Sequence, residues 1–287
     1  MSEIRKYFDS RWTHGVLLEL DFSQLEIFVL AYMTGDKQLK HDLLSGADLH
    51  GISATNLFGK NYTKAQRKIA KGLSFQLQYG AGYKSMAANN GVGEDVAKEF
   101  IKQYYDRYPG VKRWQDDIAK KVKLLRKPTN RKSPNGYPVG RSLLESETGR
   151  RYHFYEFDAP DWMAKPRYPG AKVATVSFSP TQMKNYPVQG YATADIVPIV
   201  IGKLHRALLN ADAFNESVLL VNTVHDSVVF DCKNMLTAQE WAPIAAGYME
   251  SAPTYLKEDF GIDFNLPLKV EAEVGYTWHD MKPLTLT

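Results

Sequence analysis

The sequence predicts an α+β fold, in which antiparallel strands are combined with a long, mainly helical middle section. The stretch "LLVNTVHDSVVFDC" (residues 219–232) consists of two apolar strands joined by a two-residue turn. The stretch "VLLELD" (residues 16–21) is another apolar strand, and "LPLKVEAEVGYTW" near the end of the chain alternates like a strand. Between these regions, residues 36–126 have mainly helical periodicity.

The first half of the chain begins with a strand that leads into a helix. Ser23 and Glu26 form a Ser-x-x-Glu capping box, which predicts a helix start at Ser23. Residues 36–60 are predicted to be helical, with a turn near "SGADLHG". A second capping box, Thr63 with Gln66, predicts a helix that ends at the glycines of "GAG".

The second half contains a helical stretch, an irregular region and the hairpin. Residues 94–126 form an amphipathic helical pattern interrupted at "RYPGV", and "TGRRYHFYEF" indicates a strand or hairpin. The stretch "DAPDWMAKPRYPGAK" is predicted to be an irregular loop, and "TADIVPIVIGKLHRALLN" a buried helix. A further helix is expected from about residue 237 to 255.

The composition is that of an ordinary globular protein. The 287 residues are 44% hydrophobic and 24% charged, enough for a sizeable core and for two domains. A net charge of +4 permits a polyanionic partner but does not demand one. The single cysteine, Cys232, excludes a disulfide framework and a cysteine zinc site, and is expected to be a small buried hydrophobe in a reducing, cytoplasmic compartment. No apolar run has the length of a membrane helix, and the start lacks a signal peptide's apolar segment, so we expect no membrane association.

One helix face carries two cations followed by two aromatic residues. Arg67, Lys71, Phe75 and Tyr79 are each four residues apart, so they form one stripe along the helix that starts at Thr63. The stripe could bind a nucleotide, with the cations on phosphates and the rings near sugar and base. Spacing alone equally allows the aromatic residues to pack in a core while the cations are solvated.

Two aspartates occupy the ends of strands. Asp21 follows one strand and Asp226 lies in the hairpin turn, where each alone could be a turn former or a helix cap. If they converge, a cation is required to offset their mutual repulsion. Mg²⁺, which prefers oxygen ligands, is the ion that commonly does so in proteins. Paired carboxylates holding two magnesium ions are suited to in-line phosphoryl transfer.

Several motifs together resemble one known family. The stretches "LDFSQLEIFVLAYMTGD", "AQRKIAKGLSFQLQYGAG" and "VNTVHDSVVFD" are similar to the first palm motif, the fingers helix and the palm hairpin of the family A DNA polymerases, the bacterial DNA polymerase I type also found in phages. The motifs "DLHGISATNLFG", "NYPVQGYATADIV" and "LPLKVEAEVGYTW" follow in the family's order, so the resemblance covers nearly the whole chain. It implies an antiparallel palm sheet with helical fingers, as residues 1–35 (palm), 36–180 (fingers) and 181–287 (palm).

The resemblance implies a two-magnesium polymerase reaction. Asp21 and Asp226 would hold two Mg²⁺ ions, for which Mn²⁺ can substitute, with the backbone carbonyl of Phe22 as a further ligand. Lys71 would bind the triphosphate and donate a proton to the leaving pyrophosphate. The implied substrates are deoxynucleoside triphosphates and primer-template DNA.

The resemblance also implies contacts around the nucleotide. The nucleotide-binding residues would be Arg67, Lys71, Phe75, Tyr79, Glu26, His50 and Gln24. The DNA-binding residues would be Asn185, Gln189 and His225. Simpler roles remain open for some of these residues: Glu26 could only complete the capping box, His50 could be a surface histidine, and Asn185 and Gln189 could only cap the next helix.

The chain departs from the family pattern at three places. Ser227 stands where the family usually has Glu, and Phe28 replaces a common Arg. The thumb, the first palm strands and an exonuclease domain are absent, so we expect a split polymerase whose second polypeptide supplies the thumb and amino-terminal palm, in the cytoplasm of a bacterial or phage-infected cell. The alternatives are a non-catalytic DNA- or protein-binding remnant of the fold, or a reverse transcriptase or nuclease variant.

Overall fold

The computed structural model describes residues 3–134, 136–158 and 176–286. The chain divides into two compact units. The sheet unit consists of Met1–Val29 and Tyr191–Thr287, and the helical unit consists of Leu30–Gly190. The fold class is α+β with antiparallel sheets, as the sequence predicts.

The helices of the described residues are α1 (Leu25–Thr34), α2 (Lys37–Leu44), α3 (Leu49–Phe58), α4 (Lys64–Gln78), α5 (Tyr83–Asn90), α6 (Glu94–Arg107), α7 (Pro109–Leu124), α8 (Pro180–Gln189), α9 (Val197–Asn210), α10 (Ala213–Glu216), α11 (Met235–Glu250) and α12 (Ala252–Phe260). The strands are β1 (Val16–Phe22), β2 (Lys127–Lys132), β3 (Pro138–Glu145), β4 (Arg151–Tyr155), β5 (Phe157–Asp158), β6 (Val176–Ser177), β7 (Val218–Val224), β8 (Ser227–Cys232), β9 (Val270–Gly275) and β10 (Lys282–Leu284). A 3₁₀-helix (Glu3–Tyr7) precedes β1, and a π-helix (Gly190–Ile196) precedes α9.

The sheet unit is built on a five-stranded antiparallel sheet with the order β10-β9-β1-β8-β7. Leu18 and Leu20 of β1 are fully buried, and α11 packs against β1, β8 and β9. Because successive side chains of a strand point to opposite faces, the residues that alternate with Leu18 and Leu20 lie on the other face of the sheet. The cross-strand pairs place five acids there, and we call this surface the acidic face: Glu19, Asp21, Asp231, Glu271 and Glu273.

The hairpin of β7 and β8 has the predicted two-residue turn. Val224 pairs with Ser227, and His225 and Asp226 form the turn between them. His225 has a φ of +55°, in the left-handed region that costs a residue with a side chain about 1–2 kcal/mol. A strained histidine at this position indicates that the turn is kept for a reason other than local stability.

The helical unit begins its fourth helix at the predicted capping box. The Thr63 hydroxyl accepts a hydrogen bond from the Gln66 backbone N–H at 3.2 Å, and the Gln66 side chain accepts one from the Thr63 N–H at 2.7 Å. Helix α4 ends at Gln78, before Gly80, whose φ of +76° suits a residue without a Cβ.

A buried ion pair ties α2 to the end of α6. Asp42 is 3% exposed and accepts two-pronged hydrogen bonds from Arg107 and a 2.8 Å bond from the Tyr108 hydroxyl. The same Tyr108 separates α6 from α7, where Pro109 starts the new helix. The break expected at "RYPGV" is therefore confirmed.

A three-stranded sheet, β2-β3-β4, completes the described part of the helical unit. Phe154 of β4 is buried in one cluster with Val122 of α7 and Met183 of α8. The strand or hairpin expected at "TGRRYHFYEF" is strand β4, which pairs with β3 just before this stretch.

Some elements differ from the expectations. Helix α1 begins at Leu25 rather than Ser23, because Gln24 has a left-handed φ of +61° and the first helical hydrogen bonds are accepted by its carbonyl. The helix expected over residues 237–255 is two helices, α11 and α12, separated at Ser251. Most of the predicted irregular loop, residues 159–172, lies outside the described residues. No helix among the described residues is long and apolar enough to cross a membrane.

Candidate active site

Asp21 on β1 lies beside the hairpin turn that holds Asp226, in the sheet unit. Asp21 is near the end of β1 and pairs with Ser227, the first residue of β8. The Phe22 backbone N–H donates a hydrogen bond to the Asp226 carbonyl at 3.4 Å, and the Asp226 carboxylate is close enough to raise the pKa of Asp21. The convergence that spacing alone left open is therefore present in the structure.

The surroundings of the two carboxylates disfavour their ionisation. Reduced hydration raises the pKa of Asp21 to about 7, and the charges of Asp226, Glu19 and Glu271 act in the same direction. Reduced hydration also raises the pKa of Asp226, although His225 and the hydrogen bond from Asp21 oppose this rise. Both raised pKa values mean that the ionised pair is disfavoured, and a bound cation would favour it.

The donor set fits a divalent magnesium ion. Carboxylate oxygens are the ligands that Mg²⁺ prefers, and one or two protein carboxylates commonly suffice because water and substrate phosphates complete the shell. Among the described residues there is no group of three or more histidine, cysteine, aspartate or glutamate side chains that could hold a metal. Asp21 and Asp226 stay the predicted carboxylate ligands of such an ion, and the carbonyl of Phe22 stays a predicted further ligand.

Ser227 belongs to a hydrogen-bonded group that sequence reasoning did not find. Its hydroxyl lies 2.9 Å from Glu19 Oε1 and 3.1 Å from the Val224 carbonyl. The other oxygen of Glu19 accepts a 2.8 Å hydrogen bond from the Trp278 indole N–H. One feature of the sequence could have indicated this group. Glu19 is two residues before Asp21, and this spacing puts both side chains on the same face of a strand.

The start of α1 places the remaining predicted residues of the sheet unit. Gln24 is exposed in the turn before the helix, and Glu26 is half-buried in its first turn. The Ser23 hydroxyl donates to Glu271 Oε1 at 3.0 Å. Phe28, which replaces the common Arg, is 7% exposed and contributes to the core.

The predicted stripe on α4 is assembled in the helical unit. The His50 ring lies 5.5 Å from the Phe75 ring, and the Phe75 ring lies 6.5 Å from the Tyr79 ring. Lys71 Nζ lies 5.6 Å from the centre of the Phe75 ring. Phe75 and Tyr79 are half-buried, so both rings keep some exposed surface on this helix face.

Arg67 is held by an acid that sequence reasoning missed. Its guanidinium donates two hydrogen bonds to Asp48, at 3.0 and 2.7 Å, and the contact lowers the pKa of Asp48. Burial and the charges of Lys71 and Arg67 lower the pKa of His50, whose buried Nδ1 has no hydrogen-bond partner among the described residues. The face therefore presents concentrated positive charge with a neutral histidine beside it.

The predicted DNA-binding residues fall into two groups. Asn185 and Gln189 are one turn apart on α8, and the Asn185 side-chain amide donates to Gln189 Oε1 at 3.2 Å. The Oδ1 atom of Asn185 is buried without a hydrogen-bond partner among the described residues. His225 is exposed at the hairpin turn of the sheet unit.

Comparison with known proteins shows which family the chain resembles. The sequence model of DNA polymerase family A matches residues 1–135. DNA polymerase I of Lactococcus lactis subsp. lactis (strain IL1403) is 28% identical over 272 residues, which is 93% of this chain and 26% of that protein. The chain is thus similar to DNA polymerase family A over residues 1–135, and to a bacterial DNA polymerase I over nearly all of its length. DNA polymerase I of Streptococcus pneumoniae (strain ATCC BAA-255 / R6) is also 28% identical, over 97% of this chain and 28% of that protein.

A solved structure supports the fold of this chain. The POL domain of Pol1 from M. smegmatis, in complex with DNA primer-template and dNTP, superposes with a TM-score of 0.69 at 22% sequence identity. The match covers 97% of this chain and 42% of that chain. This chain spans about a quarter of the length of the curated relatives named above.

Proposed function

We propose that this chain carries the catalytic part of a template-directed DNA polymerase. The observation that carries the proposal is the carboxylate pair Asp21 and Asp226: Asp21 on β1 lies beside the hairpin turn that holds Asp226, and both groups have raised pKa values. Like-charged acids held together in this way disfavour their own ionised state and favour a bound cation. The sheet unit corresponds to the proposed palm, and the helical unit to the proposed fingers.

The reaction would be the attack of a primer 3′-hydroxyl on the α-phosphorus of a deoxynucleoside triphosphate. The new bond joins the primer oxygen to the phosphorus, the bond to the bridging oxygen breaks, and pyrophosphate leaves. Two Mg²⁺ ions would lower the pKa of the attacking hydroxyl and offset charge on the phosphates. Asp21 and Asp226 would hold them, with Phe22 supplying a carbonyl oxygen.

The cations of the helical unit would bind the triphosphate. Lys71 and Arg67 supply positive charge on one helix face, and Lys71 would donate a proton to the leaving pyrophosphate. His50, beside Phe75, would contact a phosphate oxygen through its ring N–H. Much of the rate would then come from positioning and charge compensation rather than from covalent chemistry.

The other predicted residues would recognise sugar, base and primer. Phe75 would lie along the sugar, Tyr79 at the base pair, and Glu26 beside the sugar 2′ position. Gln24 would contact the nucleotide from the turn before α1. The residues proposed to contact the nascent pair or primer end through the minor groove are Asn185, Gln189 and His225.

The grip on primer-template DNA would require more phosphate contacts than a net charge of +4 provides. A second polypeptide that supplies a thumb and amino-terminal palm remains a prediction, and nothing in the relatives' descriptions points to one. The bacterial or phage-infected cytoplasm as the place of action also remains a prediction.

Primer extension with Mg²⁺ and deoxynucleoside triphosphates tests the proposal. We expect template-directed extension by the chain together with the polypeptide that completes it, and loss of extension in Asp226→Asn. The variant Glu258→Gln, an exposed site on α12, is the matched control for removing one charge. Robust extension by the 287 residues alone would contradict the two-chain arrangement, and no extension in any combination would contradict the polymerase assignment.

The alternative functions give different outcomes in the same assay. Degradation of labelled DNA without nucleotides would indicate a nuclease, and preference for an RNA template would indicate a reverse transcriptase. Binding of primer-template without extension under all conditions would indicate a non-catalytic remnant of the fold.

A further inference from the structure

A cavity of about 390 Å³ opens on the acidic face of the sheet unit, at the β8 and β7 side of the sheet. Its walls are aromatic and apolar, with contributions from Phe8, Trp278 and Val229, and Asp231 and Asp9 supply negative charge. The rings of Phe8 and Trp278 meet edge to face at 5.8 Å between centroids, which fixes the aromatic wall. The cavity therefore combines an apolar surface with acids.

Asp231 in this cavity is buried and incompletely hydrogen-bonded. It is 5% exposed, and its Oδ2 accepts a 3.1 Å hydrogen bond from the Arg11 backbone N–H. Its Oδ1 is buried and has no hydrogen-bond partner among the described residues. Because a buried carboxylate oxygen without a partner is unfavourable, this atom calls for a hydrogen-bond donor from outside the described residues.

The nearest arginines are engaged with aromatic rings. The Arg5 guanidinium lies 4.4 Å from the centre of the Trp278 ring, and the Arg11 guanidinium lies 5.7 Å from that of Trp12. Both cations thus stack on indoles, and neither makes a hydrogen bond to Oδ1 of Asp231. The acid in the cavity is left for another donor.

A free strand edge borders the same cavity. Strand β7 is the terminal strand of the five-stranded sheet among the described residues, and residues 221–223 are exposed. The pairing of β7 with β8 shifts register between Leu220 and Asn222, which leaves Val221 unpaired in the ladder and 50% exposed. An exposed apolar residue on an edge strand is a site for added polypeptide.

We propose that this cavity binds the arginine side chain of an extended polypeptide segment, from outside the 287 residues, that lies along β7. The planar guanidinium suits both surfaces of the cavity, since it can stack on the Trp278 wall and donate to Oδ1 of Asp231. Backbone groups of the segment meet the β7 edge, and apolar residues beside the arginine cover Val221.

Other occupants fit the cavity less well. A nucleic acid would bring phosphates toward Asp231 and Asp9, which repel them. A bare Mg²⁺ ion would need a larger set of oxygen ligands than this apolar wall provides, and the described residues contain no group of three or more metal-binding side chains. The proposal does not depend on the polymerase reaction, because neither the cavity nor β7 contains a residue assigned to catalysis.

Peptide binding tests this site. The first peptide is fluorescein-labelled Val-Thr-Arg-Val-Thr-amide, and the second carries citrulline, the neutral isostere of arginine, in its place. We expect saturable anisotropy with the arginine peptide and at least tenfold weaker binding of the citrulline peptide. Equal affinity for the two peptides would overturn the proposal.

Variants of the chain locate the bound peptide. Asp231→Asn should bind the arginine peptide at least tenfold more weakly than the wild type, whereas Glu258→Gln should bind it equally. Val221→Lys, at an exposed edge position, should also weaken binding, and it keeps the test decisive if Asp231→Asn does not fold. Wild-type affinity in both folded variants would overturn the proposal.

A small ligand tests whether the segment also contacts the strand edge. If N-acetyl-arginine amide binds with the same affinity as the arginine peptide, the strand-docking part is overturned, because the guanidinium alone would then account for binding.

Discussion

The Ser227 hydroxyl lies 2.9 Å from Glu19 Oε1 and links the two central strands beside the carboxylate pair. The resemblance to family A polymerases implies a glutamate at position 227, and the serine there looked like a lost carboxylate. The structure instead places a glutamate on β1, anchored by Ser227 and by the Trp278 indole. A negative charge therefore remains beside Asp21, and it comes from a different strand.

Replacing Glu19 by glutamine should weaken divalent-ion binding. A unit charge about 6 Å from a divalent ion, at the water-like permittivity of about 80 of an exposed site, contributes roughly 1.4 kcal/mol, which corresponds to about a tenfold effect. The Mg²⁺ concentration that gives half-maximal thermal stabilisation should rise accordingly in Glu19→Gln. Ser227→Ala keeps the charge and should leave this concentration nearly unchanged; an unchanged value in Glu19→Gln would contradict the role given to its charge.

The stability of the metal-free chain should depend on pH through Asp21. Its pKa is about 7 in the folded protein against 3.8 for the ordinary group, so the folded state keeps a proton that the unfolded chain has released. The resulting contribution is present below pH 3.8 and is lost as the pH rises through about 7. We expect the Tm in EDTA to fall over this range more steeply in the wild type than in Asp226→Asn, where one repelling charge is gone. If Tm falls with pH equally steeply in the wild type and in Asp226→Asn, the proposed effect of Asp226 on the pKa of Asp21 is contradicted.

Removing the Asp48 carboxylate should strengthen nucleotide binding. Arg67 is paired with Asp48 in the absence of nucleotide, and an exposed ion pair of this kind is worth about 0–1 kcal/mol. Asp48→Asn should therefore lower the Kd for a deoxynucleoside triphosphate by up to about fivefold, as measured by fluorescence quenching. Asp106→Asn, at an exposed position on α6, is the control. Weaker binding in Asp48→Asn would show that Asp48 positions Arg67 rather than competing for it.

The titration of His50 should respond to nucleotide. Burial and two neighbouring cations keep its pKa below 6.5 in the free chain, so the charged form is disfavoured. A bound triphosphate brings negative charge, and the pKa should rise on its addition, which makes nucleotide binding tighter as the pH falls toward 6.5. NMR titration of the His50 ring, assigned with His50→Gln, measures both values. An unchanged pKa with saturating nucleotide would place His50 away from the phosphates.

Secondary-structure elements were predictable from the sequence where interactions between neighbouring residues determine them. The Thr63 capping box, the break before Pro109 and the two-residue hairpin turn each depend on a few neighbouring residues, and each is confirmed. The start of α1 was misplaced because the Ser23 hydroxyl bonds to Glu271, nearly 250 residues away in sequence. Periodicity carries no information about such a partner.

The sequence predicted which residues form the candidate site, but it predicted less well which side chains contact them. The stripe on α4 follows from four-residue spacing, and its members do meet His50. The partners Asp48, Glu19 and Trp278 were missed, because a side chain that restrains a functional group has no signature of its own. The orphaned oxygen of Asp231 could not be predicted at all, since burial and hydrogen bonding are properties of the folded chain.

The most direct measurement is Mn²⁺ binding followed by the electron paramagnetic resonance signal of the free ion. If Asp21 and Asp226 are the protein carboxylates of a divalent-ion site, the wild type should bind Mn²⁺ at least about tenfold more tightly than Asp21→Asn or Asp226→Asn, because each variant loses one of two carboxylates. Glu258→Gln should bind like the wild type. Equal binding by the wild type and both aspartate variants would contradict the account.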